Sequence, residues 1–158
     1  MELNGIPLHP LVVHGAVVLT PMAAVAAGLF AVVPRWRWAL RWPTPLLALG
    51  AAASVWLAST TGDDLKHTRG LRSQLIETHE MWAGRLQTGM WVLAALAAVA
   101  WWVLPVTARL MGQDDRTSPV GVLVKPLVVL LPILAVVSLY LVYMTGDAGA
   151  KAVWAVSG

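Results

Sequence analysis

The sequence predicts an all-α integral membrane protein with four transmembrane helices. Three observations predict this class: four long apolar stretches, few charged residues and short loops between the stretches. The stretches run roughly over residues 10–33, 44–61, 80–106 and 120–145. A hydrocarbon core about 30 Å thick needs about 20 helical residues at a rise of about 1.5 Å each. The second stretch is short, so the span must include Thr44 and Thr61 or the bilayer must thin around it.

Composition agrees with this class. Hydrophobic residues make up 58% of the chain and charged residues 12%, against about 25% charged in a typical soluble domain. The loops are too small to bury a core of their own, so residues 1–158 form a single transmembrane domain. The formal net charge of +3 favours anionic lipid headgroups as partners and not nucleic acid. The absence of cysteine excludes disulfides, zinc–thiolate sites and covalent c-type haem attachment.

The ends of helices one and two are predicted from proline and glycine. Pro10 and Pro43 suit the first turns of these helices, where the backbone N–H needs no partner. Pro21 lies inside helix one and should kink it. Gly62 suits a position just after the end of helix two.

Helices three and four follow the same logic. His79 opens helix three, whose alanines permit close approach of a neighbouring helix. Pro132 lies inside helix four, and Gly146 is predicted to end it. Two further segments, residues 68–79 and 148–156, have small apolar faces and are predicted to lie on the membrane surface.

The chain contains a short internal sequence repeat, which predicts two parallel helix-pair repeats. The second helix ends in Thr61–Asp63 and the fourth in Thr145–Asp147, both with the sequence Thr-Gly-Asp. Parallel repeats are related by a pseudo-twofold axis along the membrane normal. The two pairs should then superpose with the glycines of these triplets matched and Pro34 near Pro105.

Positive charge indicates the orientation. One side carries six Lys and Arg residues and the other five, and the compact cluster of Arg35, Arg37 and Arg41 is flanked by tryptophans typical of a membrane interface. The positive-inside rule gives most weight to short loops, so we expect this loop in the cytoplasm. The protein is then a multi-pass protein of a bacterial inner membrane with both termini extracytoplasmic.

Candidate chemistry concentrates at the extracytoplasmic side, where the sequence places all four histidines and six of the eight acids. His14 lies about one turn inside the first span, where an ionisable side chain usually faces the bundle interior. His79 opens helix three, and one histidine from each of two facing helices can hold a b-type haem. We therefore expect His14 and His79 as haem ligands, with Arg85 near a propionate.

Other interpretations stay open from the residues alone. His9, His14 and His79 could instead hold copper or zinc. His14 and His79 could simply bond to backbone carbonyls, and Arg85 could reach the headgroups. The sequence contains no Walker loop, nucleophile elbow or HExxH motif and no carboxylate in the middle of a span. An electron carrier or accessory subunit is therefore favoured over an enzyme, channel or transporter.

Residues Gly5–His14, GIPLHPLVVH, resemble the start of a bacterial four-helix membrane family, domain of unknown function 2231. The Thr-Gly sequences, His79 and the exit Gly146–Ala150 are also similar to this family, whereas Ala152–Trp154 departs from its usual tail. The family has no established activity, and some members are joined to Rieske-type or cytochrome-like domains. The resemblance implies a setting in respiratory electron transfer and assigns no role to a residue.

Together these observations lead to one expected function and two alternatives. We expect a small membrane protein associated with respiratory electron transfer that binds b-type haem near the extracytoplasmic face. The alternatives are a cofactor-free accessory or structural subunit and an extracytoplasmic copper or zinc protein. The expected partners are the lipid bilayer and either further copies of the chain or a larger respiratory membrane complex.

Overall fold

The structure is a computed structural model that describes residues 2–3, 6–69, 73–106 and 119–154. A pair of two-residue antiparallel strands, β1 (Glu2–Leu3) and β2 (Ile6–Pro7), comes first. The helices are α1 (Leu8–Val32), α2 (Arg37–Leu40), α3 (Pro43–Arg69), α4 (Gln74–Val103) and α5 (Val124–Trp154). Single 3₁₀ turns at Pro34–Trp36 and Gly121–Leu123 precede α2 and α5.

The long helices α1, α3, α4 and α5 are each long and apolar enough to cross a membrane. This confirms the predicted class: the chain is an all-α, multi-pass membrane protein. Pro21 and Pro132 lie inside α1 and α5, as the sequence predicts.

The four long helices pack as an antiparallel bundle. Helix α1 packs against α3 and α5, and α4 packs against the same two helices, so α1 and α4 are diagonal partners with little mutual contact. One end of the bundle carries His9 and His79, and we call it the histidine end. The opposite end carries Arg35, Arg37 and Arg41, and we call it the arginine end.

The two helix pairs build their cores differently. Between α1 and α3 the fully buried residues are mostly alanines, which allow the backbones to approach closely. Between α4 and α5 larger side chains fill the space, among them Met90, Leu93 and Leu131. Phe30, at the arginine end of α1, is the largest fully buried side chain among the described residues.

The predicted helix ends at the two glycines are wrong. Helix α3 continues past Gly62 to Arg69, and α5 continues past Gly146 to Trp154. A glycine inside a helix costs about 0.5–1 kcal/mol relative to alanine, which the tertiary contacts of these turns outweigh. One such contact is the ion pair between Lys66 of α3 and Glu80 of α4, at 2.7 Å.

The predicted surface helices are likewise wrong where the structure describes them. Gln74–His79 form the first turns of α4, which begins after the cap Ser73, whose Oγ accepts a hydrogen bond from the Ile76 amide. Ala148–Trp154 are the last turns of α5. Residues 70–72 and 155–156 of those predictions lie outside the described residues. Hydropathy misplaced both segments because their polar residues lie on helices that extend beyond the apolar spans.

Arg37 is the main departure from the predicted arginine cluster. Its side chain is buried, and its guanidinium donates hydrogen bonds to the carbonyls of Phe30 (3.0 Å), Ala31 (2.8 Å) and Pro105 (3.3 Å). These are orphan carbonyls at the end of α1 and just beyond α4. Burial lowers the pKa of Arg37 from its ordinary value, but an arginine remains charged at any physiological pH. Arg37 therefore ties two helix ends together and is not a headgroup contact.

Candidate functional site at the histidine end

His9 lies in the first turn of α1 and faces α3. Its ring Nδ1 lies 2.9 Å from the carbonyl oxygen of Ala58 and 3.4 Å from the hydroxyl of Thr61. The Thr61 hydroxyl donates to the carbonyl of Leu57 at 2.8 Å. Because a carbonyl oxygen can only accept, Nδ1 of His9 must carry the hydrogen.

His79 makes the same kind of contact in the other helix pair. Its Nδ1 lies 3.0 Å from the carbonyl oxygen of Thr145 in α5. In each neutral imidazole this fixes the hydrogen on Nδ1 and leaves Nε2 as an acceptor. Within the described ranges, neither Nε2 has a hydrogen-bond partner. Each ring is thus anchored through one nitrogen and offers the other.

A glycine makes room for each ring. A Cβ atom at Gly62 would lie 3.1 Å from Cε1 of His9, and one at Gly149 would lie 3.0 Å from Cε1 of His79. Both distances are shorter than ordinary van der Waals contact, so an alanine would displace the imidazole. In each pair the glycine follows the bonded carbonyl by four residues, one helical turn along the chain.

The two histidines belong to diagonally opposite helices, yet they lie at the same end of the bundle. The charges of His79 and of Asp63 both act on the His9 ring. The ion pair between Lys66 and Glu80 lies at this end too, with both side chains partly exposed. The histidine end is therefore where the polar and ionisable groups of the described helices concentrate.

His14 and Arg85 do not join this arrangement. His14 is exposed, and its Nδ1 bonds the carbonyl of Pro10 on its own helix at 2.6 Å. Arg85 is also exposed, and its guanidinium stacks over the ring of Trp82 at 4.7 Å. Of the predicted haem residues, the structure gives only His79 an interhelical contact at the mouth of the bundle.

The three predicted metal ligands are not brought together either. Among the described residues, no group of three or more His, Cys, Asp or Glu side chains could hold one metal ion. His9 and His14 lie five residues apart, a rotation of about 140° on a helix of 3.6 residues per turn. Since α1 begins at Leu8, both residues lie on the regular helix and point to different sides.

Sequence reasoning missed three participants in this site: the carbonyls of Ala58 and Thr145, and Gly149. A backbone carbonyl has no sequence signature, because every residue carries one. Gly149 was noted only as one residue of the glycine-rich segment Gly146–Ala150 that follows the predicted fourth span. The signal that could have found it is the spacing of small residues facing a histidine on the neighbouring helix.

The comparisons with known proteins give a family and no relative of known structure or activity. No curated protein and no solved structure matches the chain. The model of the family described as "Predicted membrane protein (DUF2231)" matches residues 5–157. Because that match covers nearly the whole chain and agrees with the resemblance of its first residues, the chain belongs to this family of membrane proteins.

Proposed function

We propose that this protein is an electron-transfer protein of a bacterial inner membrane that holds b-type haem between His9 and His79. The observation that carries the proposal is the matched anchoring of the two rings. Histidines that ligate metals usually donate their other N–H to a carbonyl or carboxylate, which fixes the tautomer and raises the basicity of the free nitrogen. His9 and His79 both have that arrangement, at one end of the bundle.

The donor set fits the group. A b-type haem needs no covalent attachment, and imidazoles from two helices of a four-helix bundle can hold it. Here His9 and His79, from diagonally opposite helices, would be those imidazoles. The haem would supply a one-electron couple. In each histidine the Nδ1–H group donates a hydrogen bond to a backbone carbonyl, that of Ala58 or that of Thr145. These bonds fix the orientation of each ring and therefore of its Nε2. His14 and Arg85, exposed and bonded elsewhere, have no part in this version of the site.

The second candidate function is a cofactor-free accessory subunit of a larger membrane complex. One observation favours it: each histidine already has a structural role, since it bonds a neighbouring helix and packs on a glycine. A buried imidazole needs a partner, and a carbonyl suffices. In either function we propose that both termini are extracytoplasmic, which places the histidine end at the outer surface.

A visible absorption spectrum of the detergent-purified protein separates the two candidates, with haem extraction and metal analysis on the same sample. The haem proposal predicts a Soret band that shifts on reduction. A colourless protein, purified from cells supplied with haem and still colourless after incubation with haemin, would exclude it and leave the accessory subunit.

Paired substitutions at position 9 make the test specific to ligation. The side-chain amide of His9→Asn can still donate to the Ala58 carbonyl but has no group in place of Nε2. The longer His9→Gln places its amide nitrogen near the Nε2 position instead. Haem ligation predicts that His9→Asn changes the Soret band while the protein stays folded, with His67→Asn, an exposed position, as the matched control. An unchanged spectrum in His9→Asn would remove His9 from the site.

A further inference from the structure

An apolar groove runs along the outside of the bundle between α3 and α4, at the arginine end. Its volume is about 460 Å³, and its lining is almost wholly apolar. Leu46 and Leu49 of α3 line it, together with Ala98 of α4. Trp42 and Trp101 lie at one end of the groove and Trp91 at the other. Leu46 and Trp42 are about 60% exposed, so a ligand can reach the groove from the lipid.

An arginine, Arg41, lies at the outer end of this groove. The guanidinium of Arg41 stacks over the ring of Trp101 at 4.9 Å. Its Nε is buried and has no hydrogen-bond partner, and Arg41 forms no ion pair with any residue that the structure describes. The described residues of the arginine end include no Asp or Glu. A half-buried guanidinium in such surroundings attracts an anion, and its planar donors match the oxygens of a phosphate.

The length of the groove selects one kind of occupant. From Trp91 to Trp101 the helix rises by about 15 Å at about 1.5 Å per residue, which is half of a hydrocarbon core about 30 Å thick. A transmembrane helix of a second copy would extend across both leaflets, well beyond the end of this groove. A groove that begins at an interfacial arginine and ends near the bilayer centre matches a single acyl chain of one leaflet.

We propose that this groove is a specific site for an anionic phospholipid, with one acyl chain along Leu49 and Ala98 and the phosphate on Arg41. The site is independent of the histidine end, so it stands whether or not the protein binds haem. Tryptophan rings at the two ends of the groove would contact the acyl chain. The rings of Trp42 and Trp101, at the outer end, also suit the depth of the headgroup.

Quenching of tryptophan fluorescence tests the site directly. The protein is reconstituted in phosphatidylcholine vesicles that contain a minor fraction of phosphatidylglycerol with a brominated acyl chain, and in matched vesicles in which phosphatidylcholine carries the bromine. The proposal predicts stronger quenching by the phosphatidylglycerol at equal bromine content. Equal quenching by the two lipids would overturn it.

Matched variants locate the effect. Arg41→Gln should lower the preference for phosphatidylglycerol about fivefold, because it removes the direct contact between one basic side chain and the lipid phosphate. Arg41→Lys should retain part of the preference. Arg35→Gln, an exposed arginine stacked on Trp36 away from the groove, should change it much less. Ala98→Leu should fill the groove and reduce quenching, whereas Ala150→Leu, at the histidine end, should not. If both arginine variants act alike, the preference is a general surface charge effect and the site is refuted.

A second copy of the chain is the rival occupant, and the absence of cysteine makes it easy to detect. Leu49→Cys lies inside the groove and is accessible from the lipid. If a lipid occupies the groove, oxidation in vesicles should leave this variant monomeric. An efficient disulfide dimer that forms at every lipid composition would assign the groove to a protein interface instead.

Discussion

The Nδ1 atom of His9 lies 2.9 Å from the carbonyl oxygen of Ala58, so a single side chain joins the first turn of α1 to α3 near the far end of the apolar span. His79 joins α4 to α5 through Thr145 in the same way. Both rings lie against a glycine, and both lie at the histidine end of the bundle. The two bonds close the two helix pairs at the end where hydrophobic packing gives way to polar residues.

The bond from His9 to Ala58 should contribute measurably to stability. His9→Leu removes the donor, and we expect a loss of about 1 kcal/mol in the free energy of unfolding, the typical net value of one hydrogen bond. His9→Asn should recover much of it, because the amide can still donate. Thermal unfolding in detergent, followed by circular dichroism, measures both.

His14→Leu is the control for that experiment. His14 is exposed and bonded only within its own helix, and a polar side chain on the lipid face is itself costly. We therefore expect no loss, or a small gain, in stability. If His14→Leu destabilised the protein as much as His9→Leu, the assignment of the interhelical role to His9 would be wrong.

The glycines of α5 provide a second, matched test. Gly149→Ala should destabilise the protein by about 1–2 kcal/mol, because the added methyl overpacks against the His79 ring. Gly146→Ala has open space around it and should stabilise the helix by about 0.5–1 kcal/mol. The comparison is made by unfolding titration of both variants. A Gly149→Ala variant that is more stable than the unchanged protein would contradict the close contact between Gly149 and His79.

The contrast between these two glycines shows where sequence reasoning succeeded and where it stopped. Hydropathy predicted four spanning helices, because the free energy of burying apolar residues in lipid depends on composition alone. The internal sequence repeat paired Gly62 with Gly146, since both follow threonine and precede aspartate. The contacts instead pair Gly62 with Gly149, because each touches a histidine. Which glycine touches a histidine depends on the rotation of each helix about its axis, and the sequence Thr-Gly-Asp alone does not determine that rotation. Superposition of the two pairs, with Pro34 near Pro105, stays a prediction.

The same limit applies to the choice of histidine. Depth in the membrane favoured His14 over His9, and depth follows from position in the sequence. Which side of the helix faces the bundle depends on the residue at which the helix starts. Because α1 begins at Leu8, His9 is already helical and turns towards α3, and His14 turns outwards. Of the two haem ligands predicted from sequence, His79 stays in the proposed pair, and His9 replaces His14.

Arg37 should be the most sensitive arginine of its loop. Arg37→Lys keeps the charge but cannot reach the carbonyls of Phe30, Ala31 and Pro105 together, as the guanidinium does. We expect a loss of about 2–3 kcal/mol, since hydrogen bonds from charged donors are worth about 1.5–3 kcal/mol each. Arg35→Lys, on the exposed neighbour, should be close to neutral. Thermal unfolding of the two variants at neutral pH measures the difference in stability. Equal melting temperatures for Arg37→Lys and Arg35→Lys would contradict the capping role of Arg37.

The orientation of the bundle is the last prediction, and the cysteine-free sequence makes it testable with single substitutions. Trp38→Cys lies in the exposed part of the arginine end, and His67→Cys lies exposed at the histidine end. The density of basic residues in a short loop retains that loop in the cytoplasm, and Arg41 still contributes to it although Arg37 is buried. An impermeant thiol reagent applied to intact spheroplasts should therefore label position 67 and leave position 38 unlabelled until the membrane is permeabilised. The reverse pattern would place the histidine end in the cytoplasm, and an electron-transfer site there would have to exchange electrons with cytoplasmic partners.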